Sequence, residues 1–496
     1  MKTNRYLFLL SAIFSIFFLY LFWNEGLGIN WVIYTCSIVA VVCYVNQNKC
    51  KSLEFWGLLS CFLITSFNLL VIHSDLAITM QMISFLILIS FLQFNSFHTL
   101  LYLLFFKAIQ IVIFALEIYS DLSNYAKTND STNNSFFNKM KIVLIPFLIL
   151  LLFIGLYSAG DVHFSKILDT IFYNISFSHI AFMFLGFVVT LYLLHQYEFG
   201  NTENNEKNTL ERRRKNGKGK QRNMYELINE YKMGLLTLGT LNLLIFVVNI
   251  LEIQHYWIDF VVPQGFSLKD FVHQGTYALI FSILLSMFIV LHFFRKNLNF
   301  LSKNRWLKYL AVIWMVQNAI MVISVAVKNY HYISYHGLAD KRIGEYVFLL
   351  MTLVGIVTLI IKVQKRKTEF WTIRANAWSV LIIMVIYSSF NWSVITTVHN
   401  LYHRNISQID TDNYIEMSPR ALLLAKQNLM KIRIQIEAHQ KNKEKWINHL
   451  EYNDYLSYLN DRIEFFVKDY KQKTGLSWNY DDAFTYSELH KNKWIP

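Results

Sequence analysis

Two polar stretches carry most of the chemistry in this chain. His273-Gln274-Gly275-Thr276-Tyr277 stands at the mouth of a long apolar run, and Lys328 to Gly344 (KNYHYISYHGLADKRIG) lies between the next two apolar runs. Their residue types suit an anion. Lys328, Lys341 and Arg342 supply formal charge, Thr276 and Tyr277 supply hydroxyl donors, and Gly275 lets a ligand approach the backbone closely. If helices begin near His273 and near Ile343, their free N–H groups and positive dipole ends add to that attraction. His331 is a further candidate ligand, and Tyr330, Tyr332, Tyr335 and Trp392 supply aromatic surface of the kind found at a membrane–water boundary. A phosphate headgroup matches donors combined with aromatics. The plainer account of each residue alone is packing, with Lys341 and Glu345 forming an ordinary salt bridge four residues apart.

A second set lies within apolar runs. Asn242, Asn249, Glu252, Gln317, Asn318 and Asn391 need polar partners there, because intramembrane polar groups face the bundle interior. Asn242, Asn249 and Glu252 share one helical side by spacing. They either line a path or join helices. Asp161 and His163 follow Gly160 in a connection between apolar runs, without a second carboxylate nearby in sequence to make an acid/base pair. Many histidines, among them His73, His255, His273, His331, His336 and His399, fall near the ends of apolar runs. None shows the close spacing of a zinc motif, so no metal and no cofactor is expected.

These residues must be held by membrane-spanning helices. The 496 residues are 54% hydrophobic and 17% aromatic, with mean hydropathy +0.32, which excludes a soluble enzyme. Runs long enough to cross a roughly 30 Å hydrocarbon core recur along the chain. They fall at 6–23, 29–45, 55–72, 76–94, 142–159, 176–195, 234–256, 273–294, 307–327, 343–363 and 377–398. The expected fold is all-α: a polytopic transmembrane helix bundle of about eleven spans with a small helical extracytoplasmic C-terminal domain. The segment 97–119 is ambiguous because Lys107 sits at its middle. A central lysine costs about 2.5–3.5 kcal/mol on insertion scales, which favours an interfacial or re-entrant segment.

Charge bias orients the bundle. Lys and Arg gather in loop 201–232, after His292 and after Lys362, and the connections between these are poorly charged. The reading is an N-terminus in the cytoplasm of a bacterial cell and a tail on the periplasmic side of the inner membrane; twelve crossings with the N-terminus outside is the alternative. The net charge of +13 is accounted for by this topology and calls for no nucleic acid. Gly217-Lys218-Gly219-Lys220 lacks the spacing of a phosphate loop. Cys36, Cys43, Cys50 and Cys61 show no disulfide framework.

The expected organisation is an N-terminal transmembrane region at 1–141, a transmembrane core at 142–398 with a basic cytoplasmic loop at 196–233, and a soluble helical domain at 399–496. Within the tail, Ser418-Pro419 starts a helix, with Ser as cap and Pro at the first helical position. Apolar periodicity continues through Leu422, Leu429, Ile432 and Ile436, then through Tyr455, Leu459, Ile463 and Phe466.

The pieces His273-Gln-Gly-Thr-Tyr-Ala-Leu-Ile-Phe, Asn329-Tyr330, Tyr335-His336-Gly337-Leu338 and Lys341-Arg342-Ile343-Gly344 resemble a bacterial membrane family. This is the group catalogued as domain of unknown function 4153/4173, with the resemblance covering roughly residues 142–400. It implies a polytopic inner-membrane protein and supplies no catalytic residues to carry over. Three functions compete on the residues themselves. One is binding of an anionic or lipid headgroup at the outer face, with membrane lipid as partner and the tail as lid or as a surface for an envelope protein. The second is an enzyme on a lipid-linked substrate, with Asp161, His273 or Glu252 as acid/base. The third is a transporter using the polar residues of 234–256 and 307–327.

Overall fold

A computed structural model describes residues 2–94, 99–111, 177–195, 224–260, 268–294, 304–402, 418–441 and 451–495. These residues are almost entirely helical and contain no strand. The chain divides into two compact units, Met1–Lys207 with Tyr470–Tyr480, and Asn208–Asp469 with Asp481–Pro496, so the tail is shared between them.

Unit 1 contains α1 (Lys2–Phe22), α2 (Ile29–Val45), α3 (Leu53–Val71), α4 (Asp75–Gln93), α5 (Leu100–Ile111) and α6 (Phe177–Leu194). α3 and α4 start where serines close the first turn: Ser52 Oγ accepts from Phe55 N, and Ser74 Oγ accepts from Ala77 N. α1 packs on α6 through rings, with Phe18 5.1 Å from Phe182 and Trp23 stacked on His179 at 3.8 Å. Gly186 permits this approach, since a Cβ there would lie 2.6 Å from Phe18. α2 meets α4 through buried amides and hydroxyls: Trp31 Nε1 donates to Gln81 Oε1, and Gln81 Nε2 donates to Thr35 Oγ1 at 3.2 Å.

Lys107 is enclosed within unit 1. Its ammonium donates to Gln93 Oε1 at 2.7 Å and Gln110 Oε1 at 3.1 Å, and lies 4.7 Å from the Tyr192 ring. The two glutamines are aimed by their own NH2 groups, which donate to Leu193 O and His195 O at the C-terminal end of α6. A helix C-terminus favours a cation. The sequence argument against a crossing at 97–119 weighed this lysine against lipid, and that cost does not arise for a side chain caged by protein oxygens. The remainder of that segment lies outside the described residues, as do 142–159 and the basic residues 207–222.

The α1–α2 connection is held by Asn30 and by the tail. Asn30 Oδ1 accepts from Gly28 N and Trp31 N, and its Nδ2 donates to Leu21 O and Gly26 O. Tail residues 474–478 lie against it: Gly26 N donates to Ser477 Oγ at 2.8 Å, Ile29 N donates to Trp478 O at 3.0 Å, and Ser477 Oγ donates to Glu25. A Cβ at Gly28 would stand 2.5 Å from the Ser477 backbone and 2.7 Å from Trp478 O. Gly28→Ala should therefore loosen this clip, at an overpacking cost of about 1–3 kcal/mol. Trypsin cleavage at Lys471 and Lys473 should accelerate severalfold, and an unchanged digestion rate would count against the clip.

Unit 2 contains α7 (Met224–Glu252), which continues as a π-helical turn (Ile253–Ile258), then α8 (Leu268–Phe293), α9 (Arg305–His336), α10 (Asp340–Lys365), α11 (Glu369–Tyr387) and α12 (Trp392–Tyr402). The tail adds α13 (Pro419–Gln427), α14 (Leu429–Lys441), α15 (Tyr452–Gln472) and α16 (Tyr480–Lys491). Ser418 caps α13 through Ala421 N, with Pro419 in its first turn. The core of unit 2 is built by Leu238, Ile245, Ile283, Val290, Leu307, Trp314, Val325, Ile356 and Leu359 from α7–α10. Opposite it, α7 leaves Leu236, Leu243, Phe246, Val247 and Ile250 exposed, an apolar stripe suited to lipid.

Among the described residues six helices are long and apolar enough to cross a membrane: Leu53–Val71, Asp75–Gln93, Ile228–Ile258, Arg305–His336, Asp340–Lys365 and Glu369–Tyr387. The chain is a membrane-embedded, all-helical protein by this measure. The run at 377–398 is not one helix. α11 starts at Glu369 and ends at Tyr387, where Ser388 and Ser389 turn their hydroxyls back onto Val385 O, and Asn391 Oδ1 then accepts from Val394 N to start α12. Hydropathy does not register such a break, because the serines satisfy the freed backbone without adding charge.

Candidate functional site

Buried amides gather in the seam between α7 and α9. The two helices run parallel, since Asn242 reaches Leu310 O at 3.0 Å and, seven residues on in both helices, Asn249 reaches Gln317 O at 3.0 Å. A seven-residue repeat keeps one face of each helix on its partner. Between these two layers Gln317 Nε2 donates to Asn242 Oδ1 at 2.8 Å. Asn242, Asn249 and Gln317 thus join the helices through amide-to-carbonyl bonds. Trp257 Nε1 adds a further tie to Ser324 Oγ at 3.1 Å.

The seam ends in an ion pair. Lys328 Nζ lies 2.9 Å from Glu252 Oε1 and 2.8 Å from Oε2, with the lysine side chain 1% and the glutamate 12% exposed. The π-helical turn begins directly after Glu252 and carries Tyr256, whose ring centroid is 3.9 Å from the same ammonium. His331, one turn beyond Lys328, makes a 2.9 Å hydrogen bond with Tyr256 O and stacks on Phe260 at 3.9 Å. π-Helical turns recur at functional sites because they shift one stretch of side chains relative to the rest of the helix.

Beside this end stands the α9–α10 turn. Gly337 has φ 83°, a left-handed conformation that glycine adopts without a Cβ clash. Arg342 donates to Gly337 O and to His336 O, and its guanidinium lies 4.6 Å from the Tyr332 ring. Asn329 Nδ2 donates to Arg342 O at 2.9 Å. Asn400 of α12 grips Leu338 from both sides, accepting from its N–H at 2.7 Å and donating to its carbonyl at 2.9 Å. The turn is therefore clamped from three helices. Lys341 is exposed in the first turn of α10, Tyr330 is exposed on α9 seven residues before Gly337, and the N-cap position of α10, Ala339, provides no side-chain cap.

The proposed anion ligands do not all meet. Lys328 points inward to Glu252, so its charge is already balanced. Arg342 holds the turn that precedes it. His273, Gln274, Gly275, Thr276 and Tyr277 lie on α8, which begins at Leu268. The expected helix start near His273 is thus five residues too late. Backbone N–H groups are free only in the first turn, so those of 273–277 are taken up by the helix itself. The side chains of these five lie outside the described residues. Asn318 donates to Trp314 O of its own helix, and Asn391 donates to Asp481 Oδ1 at 3.3 Å. Tyr256, Asn329 and Asn400 were missed. Asn329 stood within the quoted motif pieces, whereas nothing in the spacing of Asn400 connects it with Leu338.

The family model for domain of unknown function (DUF4153) matches residues 34–427. The chain belongs to this family. The DUF4153 match begins well before residue 142, where the sequence resemblance was placed, and takes in α3, α4, the whole α7–α9 seam and the clamped turn. The clip at 474–478 and the helix α16 lie beyond it. No curated protein and no solved structure matches the chain.

Proposed function

We propose that this DUF4153 protein is a multi-pass protein of the bacterial inner membrane that binds a lipid headgroup, anionic by preference, at the end of unit 2 formed by the α9–α10 turn. The observation that carries this reading is the clamped turn itself, with Lys341 exposed at the uncapped start of α10 and Tyr330 exposed on α9. An uncapped helix start offers N–H groups and the positive end of the dipole to a phosphate. Lys341 adds charge, and Tyr330, 61% exposed, adds an amphipathic ring of the kind that sits at headgroup level. Arg342 acts here as a support that keeps the turn rigid.

Sidedness is part of the proposal. The parallel run of α7 and α9 brings their starts to one end, where Arg305 and Lys308 lie and where Lys308 is within electrostatic reach of Arg366 after α10. With that basic end in the cytoplasm, the turn faces outward. We further place the N-terminus in the cytoplasm and the tail in the periplasm, where an envelope protein is a further partner. Lys341→Ala combined with Tyr330→Ala should lower copurified anionic lipid about fivefold, since one lysine near a charged surface contributes ~1 kcal/mol. Native mass spectrometry in mild detergent measures this, and unchanged lipid occupancy in the double variant rejects the site.

A further inference from the structure

We propose that Cys43 and Cys50 are a reversible disulfide site, closed by thiol–disulfide exchange with a small-molecule disulfide. This goes beyond headgroup binding and lies in unit 1, on residues that the binding test does not touch. α2 ends at Val45, and the chain then turns back through 46–48 into a 3-10 turn at Lys49–Lys51. Asn46 N donates to Val42 O and Cys43 O, Lys49 N to Asn46 O, and Cys50 N to Gln47 O. These bonds fold Cys50 under the open end of α2, where the last carbonyls lack partners within the helix. Its Sγ lies 3.9 Å from Cys43 O and 3.8 Å from Asn46 O, and the two thiols hydrogen-bond each other. Both cysteines are free and half-buried.

Spacing alone does not single out this pair, since Cys36 and Cys43 are also seven residues apart. Those two lie on one helix, about 10.5 Å apart along its axis. A disulfide needs Cα atoms within about 7 Å, so they cannot join. Cys61 is buried in α3. Cys50 stands between exposed Asn48 and Lys51, so it meets the incoming disulfide first. Its thiolate attacks one sulfur of the reagent. An S–S bond forms, the reagent's own S–S bond breaks, and one thiol leaves. The Cys43 thiolate then attacks the Cys50 sulfur of the mixed disulfide, and the second thiol leaves. Two electrons pass from the cysteines to the reagent, and their two protons end on the two released thiols. The bridge closes the connection that Lys49 ties to the end of α4, through Nζ bonds to Phe91 O at 3.0 Å and to Phe94 O. On the proposed sidedness this connection faces the cytoplasm, where thiols are kept reduced and a disulfide is transient.

The test uses the full chain in mild detergent, with glutathione disulfide as the reagent. Remaining thiols are blocked with N-ethylmaleimide during unfolding, and tryptic peptides are read by mass spectrometry. Free thiols should fall from four to two, with the peptides of Cys43 and Cys50 joined within one chain, and dithiothreitol should restore all four. Cys43→Ser should stop at a glutathione adduct on Cys50, and Cys36→Ser should form the bridge as the wild type does. Four blocked thiols in the treated wild type overturn the proposal. So does a bridge to Cys36, to Cys61 or to a second copy, or a Cys50 adduct that persists while Cys43 is present. Lipid occupancy is read separately, so failure here leaves the headgroup reading standing.

Discussion

Lys328→Met should destabilise unit 2 by about 3–5 kcal/mol, the usual cost of stranding one member of a buried ion pair. The remaining carboxylate of Glu252 would face Tyr256 and the apolar flank of α9 without its counter-charge. Removing both charges in Glu252→Leu with Lys328→Met should recover most of the stability, because neither desolvation nor attraction is then left. Thermal unfolding in detergent, followed by tryptophan fluorescence, separates the cases. A single variant as stable as wild type would mean that the pair does not hold α7 to α9.

The second large effect is on the tail. Asp481, in the first turn of α16, is 1% exposed, with Asn391 Nδ2 at 3.3 Å and Arg420 Nη1 at 3.8 Å. Burial pushes its carboxyl up to about 7. Arg420 pulls it down, Asp482 raises it further, and the Asn391 hydrogen bond lowers it. A folded carboxyl raised above its ordinary value of 3.8 binds more protons than the undocked chain does. Docking of α16 in unit 2 should therefore be firmest below the ordinary carboxylate range and weaken as pH rises toward about 7. The slope is at most ~1.4 kcal/mol, or tenfold in amide protection, per pH unit. Asp481→Asn should flatten this dependence and protect α16 at neutral pH. Hydrogen exchange of residues 481–491 across that range measures both, and equal slopes in the two proteins would assign the effect to another group.

Much of the helical content was legible because its signals are local. Ser52, Ser74 and Ser418 announce helix starts within three residues, and apolar stretches such as 55–72 announce a span by length alone. The shared side of Asn242, Asn249 and Glu252 was legible for the same reason, as helical spacing fixes which residues look the same way. The partner of that side was not legible. Gln317 and Lys328 lie 75 and 76 residues beyond Asn242 and Glu252, and nothing along the chain says that α9 rather than α8 lies parallel to α7. Lys328 shows the same point: a lysine near the end of an apolar run reads as exposed until its carboxylate is found on another helix.

The sequence by itself determined that this chain is helical and membrane-embedded, and which faces of its helices are polar, because hydropathy, capping and helical period act within one element. Tertiary structure alone decided where those elements end and what their polar faces meet. α8 starts at Leu268 rather than near His273, α11 breaks before Asn391, Arg342 and Asn400 close on the Gly337-Leu338 turn, and the tail divides at Tyr480. A buried polar group takes its meaning from the partner that satisfies it, and in this chain most of those partners lie on another helix.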